Sequence, residues 1–175
     1  MPLCFTIRND MEFYFSVNGV GYLCGDDDVI GDYWTRVSIS IKNAYFNWSE
    51  SDGEAFTFGE LINLRDSLNT LLSDGYSEPF VIRFIEPNYE FLLTPKTDLR
   101  TIIKGVFKDP VRDVFMEFIV NITYGGFGDA TERYTLPFHR NAIIAWRDYL
   151  DEVISKLDYR GKLIDEYPHP DQSNE

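Results

Sequence analysis

Apolar and polar residues alternate with period two through much of this chain, the pattern of strands buried on one face. The clearest run is Thr35-Arg36-Val37-Ser38-Ile39-Ser40-Ile41, where Val37, Ile39 and Ile41 share one face and Arg36, Ser38 and Ser40 the other. Glu12 to Val17 reads as an earlier strand from its aromatic and branched content. Phe80 to Glu86 and Tyr89 to Thr94 read as two strands joined by the short turn Pro87-Asn88. Thr101 to Phe107 is a weaker strand. Arg112 to Tyr124 is a long one, with Val114, Met116, Phe118, Val120 and Ile122 in register. The glycine-rich stretch Gly125 to Asp129 then turns the chain into Glu132 to Leu136. Consecutive strands with short turns imply antiparallel pairing.

Two segments switch to helical spacing. Before the first, Thr57 is placed to cap, Glu60 three residues on closes a capping box, and Phe56 is placed to staple onto Leu61. Leu61, Leu64, Leu68, Leu71 and Leu72 follow at helical intervals, and Gly75 suits a left-handed cap. The second helix is expected to open near Pro137, which puts His139 in its first turn. Its stripe is Ala142, Ile143, Trp146, Leu150, Val153 and Leu157. The expectation is an α+β domain: an antiparallel, curved or sandwich-like sheet with helices at about 57–73 and 137–157 packed on it. Residues 1–160 form a single domain in this reading, and 161–175 an acidic tail that frays. No internal repeat is visible.

Charge changes the picture. The chain of 175 residues has 29 acidic and 16 basic residues, a net charge of -13, yet 44% of it is hydrophobic. It is therefore a folded domain that tolerates self-repulsion, not a disordered acidic tail. Residues 1–60 carry net -7, residues 61–147 net -1, and residues 148–175 net -5. Such a field favours a basic partner and argues against nucleic acid or an anionic membrane. No apolar run is long enough to cross a bilayer, and the N-terminus shows no secretory pattern. Cys4 and Cys24 fit no metal or redox spacing and are expected as buried free thiols in a reducing cytoplasm.

Catalytic groups are sparse. There are two histidines, His139 and His169, and no glycine-rich loop opens a helix. Asp26-Asp27-Asp28 with Asp32 lacks the alternating ligands of a calcium loop and reads as a solvated acidic loop. Glu86 and Glu90 flank a turn without a visible pocket. No cofactor, metal or catalytic residue is expected, and an aspartate-based metal hydrolase is the least favoured reading.

The order of motifs carries more. Asp32-Tyr33-Trp34 leads into the Val37 strand, Thr57-Phe58-Gly59-Glu60-Leu61 opens a helix continued by Leu64 and Leu68, and Phe84-Ile85-Glu86-Pro87 precedes Tyr89-Glu90-Phe91. Over roughly residues 30–157 this order resembles the WapI-like immunity proteins of bacterial contact-dependent and polymorphic toxin systems. Within it Trp34, Thr57, Glu60, Leu61, Glu86 and Pro87 read as scaffold residues. The resemblance implies a cytoplasmic protein that neutralises a cognate toxin domain by stoichiometric occlusion. Such a toxin is basic if it is a nuclease, since nuclease clefts hold phosphate. The candidate contacts are Asp26, Asp27, Asp28 and Asp32, then Trp48, Glu50, Asp52 and Glu54, an aromatic anchor among acids. The alternative is a binding or assembly module for a basic partner unconnected with a toxin. Self-association stays open.

Overall fold

The alternation of residues 35–41 builds the first of two sheets. In the computed structural model Val37, Ile39 and Ile41 have no exposed surface, while Arg36, Ser38 and Ser40 sit on the other face, exposed or half-buried. The structure describes residues 2–7, 10–23, 33–106, 108–123 and 131–157, with 20–23, 123 and 131 described by backbone alone. The first sheet is a meander of β1 (Leu3–Ile7), β2 (Met11–Leu23), β3 (Tyr33–Lys42) and β4 (Asn47–Thr57), each antiparallel to the next. Helix α1 (Phe58–Leu72) follows. The second sheet repeats the scheme with β5 (Phe80–Arg83), β6 (Tyr89–Asp98), β7 (Arg112–Thr123) and β8 (Thr131–His139), then α2 (Arg140–Lys156).

The chain is thus two ββββα halves, a repetition that sequence reading misses. Its trace lies in the helices. Leu61, Leu64 and Leu68 are buried in α1 and Ile143, Trp146 and Leu150 in α2, at the same spacing from the helix start. Each helix also carries an Arg-Asp pair at the same place. Arg65 Nε donates to Asp66 at 2.5 Å, and Arg147 Nε to Asp148 at 2.8 Å. The side chains differ enough in size and type to hide the match.

Both apolar stripes face inward between the sheets. Trp146, fully buried, lies 5.9 Å and 4.7 Å between ring centroids from Phe13 and Phe15 of the first sheet. It lies 5.4, 6.1 and 6.1 Å from Phe91, Phe118 and Phe138 of the second. A buried aromatic of this kind contributes about 1.5–3 kcal/mol by burial alone, and each tilted or edge contact adds about 0.5–1.5 kcal/mol. The indole Nε1 has no hydrogen-bond partner among the described residues, so the ring is held by packing.

The sheets cross rather than align. Phe46, beside β4, stacks on Tyr134 at 4.3 Å, and Glu50 of β4 accepts a hydrogen bond from the Tyr89 hydroxyl. Tyr89, Val120 and Tyr134 form one cross-strand row of the second sheet. The start of β4 therefore runs across the strands of β6, β7 and β8, the orthogonal mode of sheet packing.

Several expectations are corrected. Residues 101–106 form no strand, and Phe107 lies outside the described residues: Leu99–Thr101 is a 3-10 turn, because the Asp98 carboxylate accepts from the Arg100 N–H at 3.1 Å and the Thr101 hydroxyl donates to the Asp98 carbonyl at 2.7 Å. Pro137 does not open α2 but pairs opposite Glu117 in β8, an edge strand where its missing N–H costs no ladder bond. His139 is the residue before the helix. At the end of α1 it is Asp74 that takes the left-handed conformation, φ 59°. Gly75 is needed for space, since a Cβ there would meet Thr70 Cγ2 at 2.7 Å. Cys4 is exposed, not buried, because Leu3, Phe5 and Ile7 take the inward side of β1. The turn at 125–129, Cys24 and the tail from residue 161 lie outside the described residues.

Trp146→Ala is expected to lower stability by about 3–5 kcal/mol in urea unfolding, the cost of a large-to-small change in a closed core. A loss below about 1 kcal/mol would show that the two sheets cohere without it.

Candidate interaction site

The three sequence motifs meet in one place. Trp34, 7% exposed at the start of β3, pairs across the first sheet with Thr57. Thr57 caps α1: its Oγ1 accepts from Glu60 N at 3.2 Å, and Glu60 Oε2 accepts from Thr57 N at 2.8 Å. The other Glu60 oxygen accepts from Ile85 N at 2.7 Å, in the loop that joins β5 to β6. One carboxylate therefore closes the helix start and ties it to the second half of the chain. The staple pair also lands as expected, with Phe56 and Leu61 both buried. Phe56 packs edge-on against Phe84 at 4.7 Å and near Tyr89 at 5.3 Å. Beyond Phe84 the chain turns at Glu86-Pro87, where Tyr89 N donates to the Glu86 carbonyl at 3.4 Å. These residues form the joint between the halves.

The β4 residues do not lie on one face. Trp48 and Glu50 point toward the second sheet and are half-buried, and Trp48 packs against the core. The Glu50 side chain passes over Gly53, where any Cβ would collide with it, and ends on the Tyr89 hydroxyl. Asp52, at φ 59°, faces the other way. It accepts from Asn18 Nδ2 at 3.2 Å, its N–H donates to Ser38 Oγ at 3.2 Å, and its carboxylate lies 3.9 Å from Arg36. Glu54 pairs with Arg36 in the strand register and is half-buried. The bulges in the β3–β4 register and the left-handed Asp52 split the acids between faces and break the alternation that would have revealed β4 as a strand. Asp26, Asp27, Asp28 and Asp32 lie outside the described residues.

Elsewhere the acids of the helices are committed. Arg65 bridges from α1 to Asp151 of α2 at 3.1 Å, Arg147 holds Asp148 at 2.5 Å, and Lys156 holds Glu152 at 2.5 Å. His139 lies against the Phe115 ring, 5.4 Å between centroids. Among the described residues no three His, Cys, Asp or Glu side chains gather as a metal site. None of their helices is long and apolar enough to cross a membrane.

Sequence reading gives Tyr89 only as a strand start and a motif position, and passes over Tyr149 and Tyr45. Tyr89 is 2% exposed, and burial first, then the Glu50 carboxylate, holds its proton well above the ordinary phenol range. Tyr149 reaches from α2 to accept from Val17 N at 2.7 Å, and burial pushes it up to about 12. It covers a backbone N–H of β2, a role that needs the tertiary fold to be seen. Tyr45 stands 99% exposed on a turn fixed by the Asn43 side chain, which accepts from Tyr45 N and Phe46 N, both at 2.8 Å.

Two packed four-stranded sheets and two helices, with the halves tied by Glu60 to Ile85, Glu50 to Tyr89 and Tyr149 to Val17, define an α+β domain. The chain belongs to the WapI-like immunity protein family, whose model matches residues 5–158. The search of curated proteins returned no match. The family match takes in the N-terminal strands that lie before the motifs read from the sequence.

Both tyrosines bind their protons more tightly in the native state than at the unfolded value of 10.0. Once pH passes about 10 the unfolded chain loses protons that the native state keeps, so stability falls as pH rises. The contribution is complete below pH 10 and is lost as pH climbs, for Tyr149 through about 12. Each phenol adds a slope of about 1.4 kcal/mol per pH unit. Urea unfolding of Tyr149→Phe between pH 9 and 11 is expected to show a shallower decline than wild type, and an equal decline would contradict the assignment.

Proposed function

We propose that this chain neutralises a cognate bacterial toxin domain by binding it one to one and blocking its working surface. The observation that carries the reading is the family match over residues 5–158, which places the chain among immunity proteins. Membership of that family supports a non-enzymatic role. The charge supplies the physics. A net -13 on a folded domain draws a basic domain in and speeds encounter at low salt. A nuclease toxin fits, since its cleft is basic where it holds a phosphate backbone. The cytoplasm, where such a toxin acts, is the compartment this reading requires.

Within this proposal Asp26, Asp27, Asp28, Asp32, Glu50, Asp52 and Glu54 act mainly at range. Glu50 and Asp52 already hold internal partners, which supports a steering role for them. Trp48, packed against the core, holds the strand that carries them.

The test is co-expression with a candidate toxin domain drawn from the genes that neighbour this chain's own. That domain alone is expected to stop growth, and this chain to restore it; continued arrest despite soluble co-expression would overturn the reading. For the purified pair, changing Asp26, Asp27, Asp28 and Asp32 together to Asn is expected to slow association about tenfold or more at low salt and to leave dissociation within about twofold. An unchanged association rate would remove steering by those four aspartates.

A further inference from the structure

The outer face of the second sheet differs from that of the first. On the first sheet the outward row Cys4, Tyr14, Ser40 and Ser49 is mostly polar. On the second, the outward row that crosses all four strands is Val81, Leu92, Glu117 and Pro137. Val81 is 37% exposed, and Leu92 and Pro137 are half-buried. Along β7, Glu117 is flanked on the same face by Phe115 and Ile119, both nearly closed to solvent. A carboxylate therefore stands at the centre of an apolar strip.

That carboxylate has no hydrogen bond and no ion pair among the described residues. The nearest cation acting on it is Arg133, which reaches instead to Glu90 at 3.4 Å, where Arg83 also lies at 3.4 Å. Glu90 thus takes both arginines of this face. Glu117 remains half-desolvated, and burial raises its proton affinity above the usual carboxylate range. At the β8 edge, Pro137 also lines an apolar groove of about 470 Å³ shared with Phe5 and Ile7 of β1, Phe138, Ile103 and Val106, the last 45% exposed. A half-buried carboxylate is destabilised by its surroundings until a cation is brought to it, and the adjoining groove has room for an apolar side chain. The pairing calls for a surface that carries both.

We propose that the outer face of the second sheet is where the partner seats, with Glu117 taking a lysine or arginine of the toxin domain and the groove beside Pro137 taking an apolar neighbour of that cation. The inference rests on the immunity reading and adds a division of labour to it. The acids of the first sheet and its loops govern arrival, and Glu117 governs departure.

The test uses the full chain, with the toxin domain that it rescues in co-expression as probe, and measures association and dissociation rates separately. Glu117→Gln keeps the shape and removes the charge. It is expected to raise the dissociation rate about 30-fold or more and to leave the association rate within about twofold. Wild-type binding with an unchanged Glu117→Gln dissociation rate overturns this inference and leaves the immunity reading standing, whereas a wild type that does not bind overturns both. Should Glu117→Gln lose its fold, Val81→Lys on the exposed edge strand probes the same surface. A cation added to that row is expected to weaken the complex at least tenfold, and equal affinity overturns the proposal.

Discussion

The closure of both sheets around one indole ring governs the rest of the molecule. Each half is a four-stranded meander with a single helix, and neither meander encloses its own apolar face. Trp146 touches Phe13 and Phe15 on one side and Phe91, Phe118 and Phe138 on the other. The sheets also touch directly, at Phe5 and Phe138, Phe13 and Phe118, Phe46 and Tyr134, and Phe56 and Tyr89. With no hydrogen-bond partner for its Nε1 among the described residues, the ring is held by close packing against these walls.

Polar contacts then fix the register of the halves. The Glu60 carboxylate completes the capping box of α1 with one oxygen and holds the Ile85 N–H with the other. Glu50 reaches Tyr89, Tyr149 covers Val17, and Arg65 bridges the helices to Asp151. These bonds link segments far apart in sequence, so one half does not shift without the other. The helix acids are paired as well, Asp66 and Asp148 with the adjacent arginines, Glu152 with Lys156 and Asp151 with Arg65 of the other helix.

Where one residue's neighbours are its sequence neighbours, the chain is legible. The alternation of β3 and β7, the Thr57–Glu60 capping box and the leucine stripe of α1 are all read correctly. β1 and β4 are not, since β1 is short and β4 is interrupted by Asp52 and by the passage of Glu50 over Gly53. Residues 101–107 look like a strand because Ile102, Ile103 and Val106 are β-formers, yet the Asp98 cap turns the chain first. Pro137 misleads because a favoured first helical residue is equally at home on an edge strand. The ββββα repetition is lost where leucines in α1 become isoleucine and tryptophan in α2. The same limit governs the site. Glu117 reads from sequence as an ordinary outward residue of β7, and its isolation depends on Leu92, Pro137 and the Glu90 arginines, which only strand pairing brings to it.

Stoichiometric occlusion makes a demand that no catalytic or assembly role shares. The direct measurement is a titration of the toxin domain's own activity with this chain at concentrations well above their dissociation constant. Activity should fall linearly and reach zero at one equivalent, with full recovery of active toxin when the complex is dissociated. Loss of activity at a small fraction of an equivalent, or toxin that stays inactive after separation, would contradict occlusion and point to chemical inactivation instead.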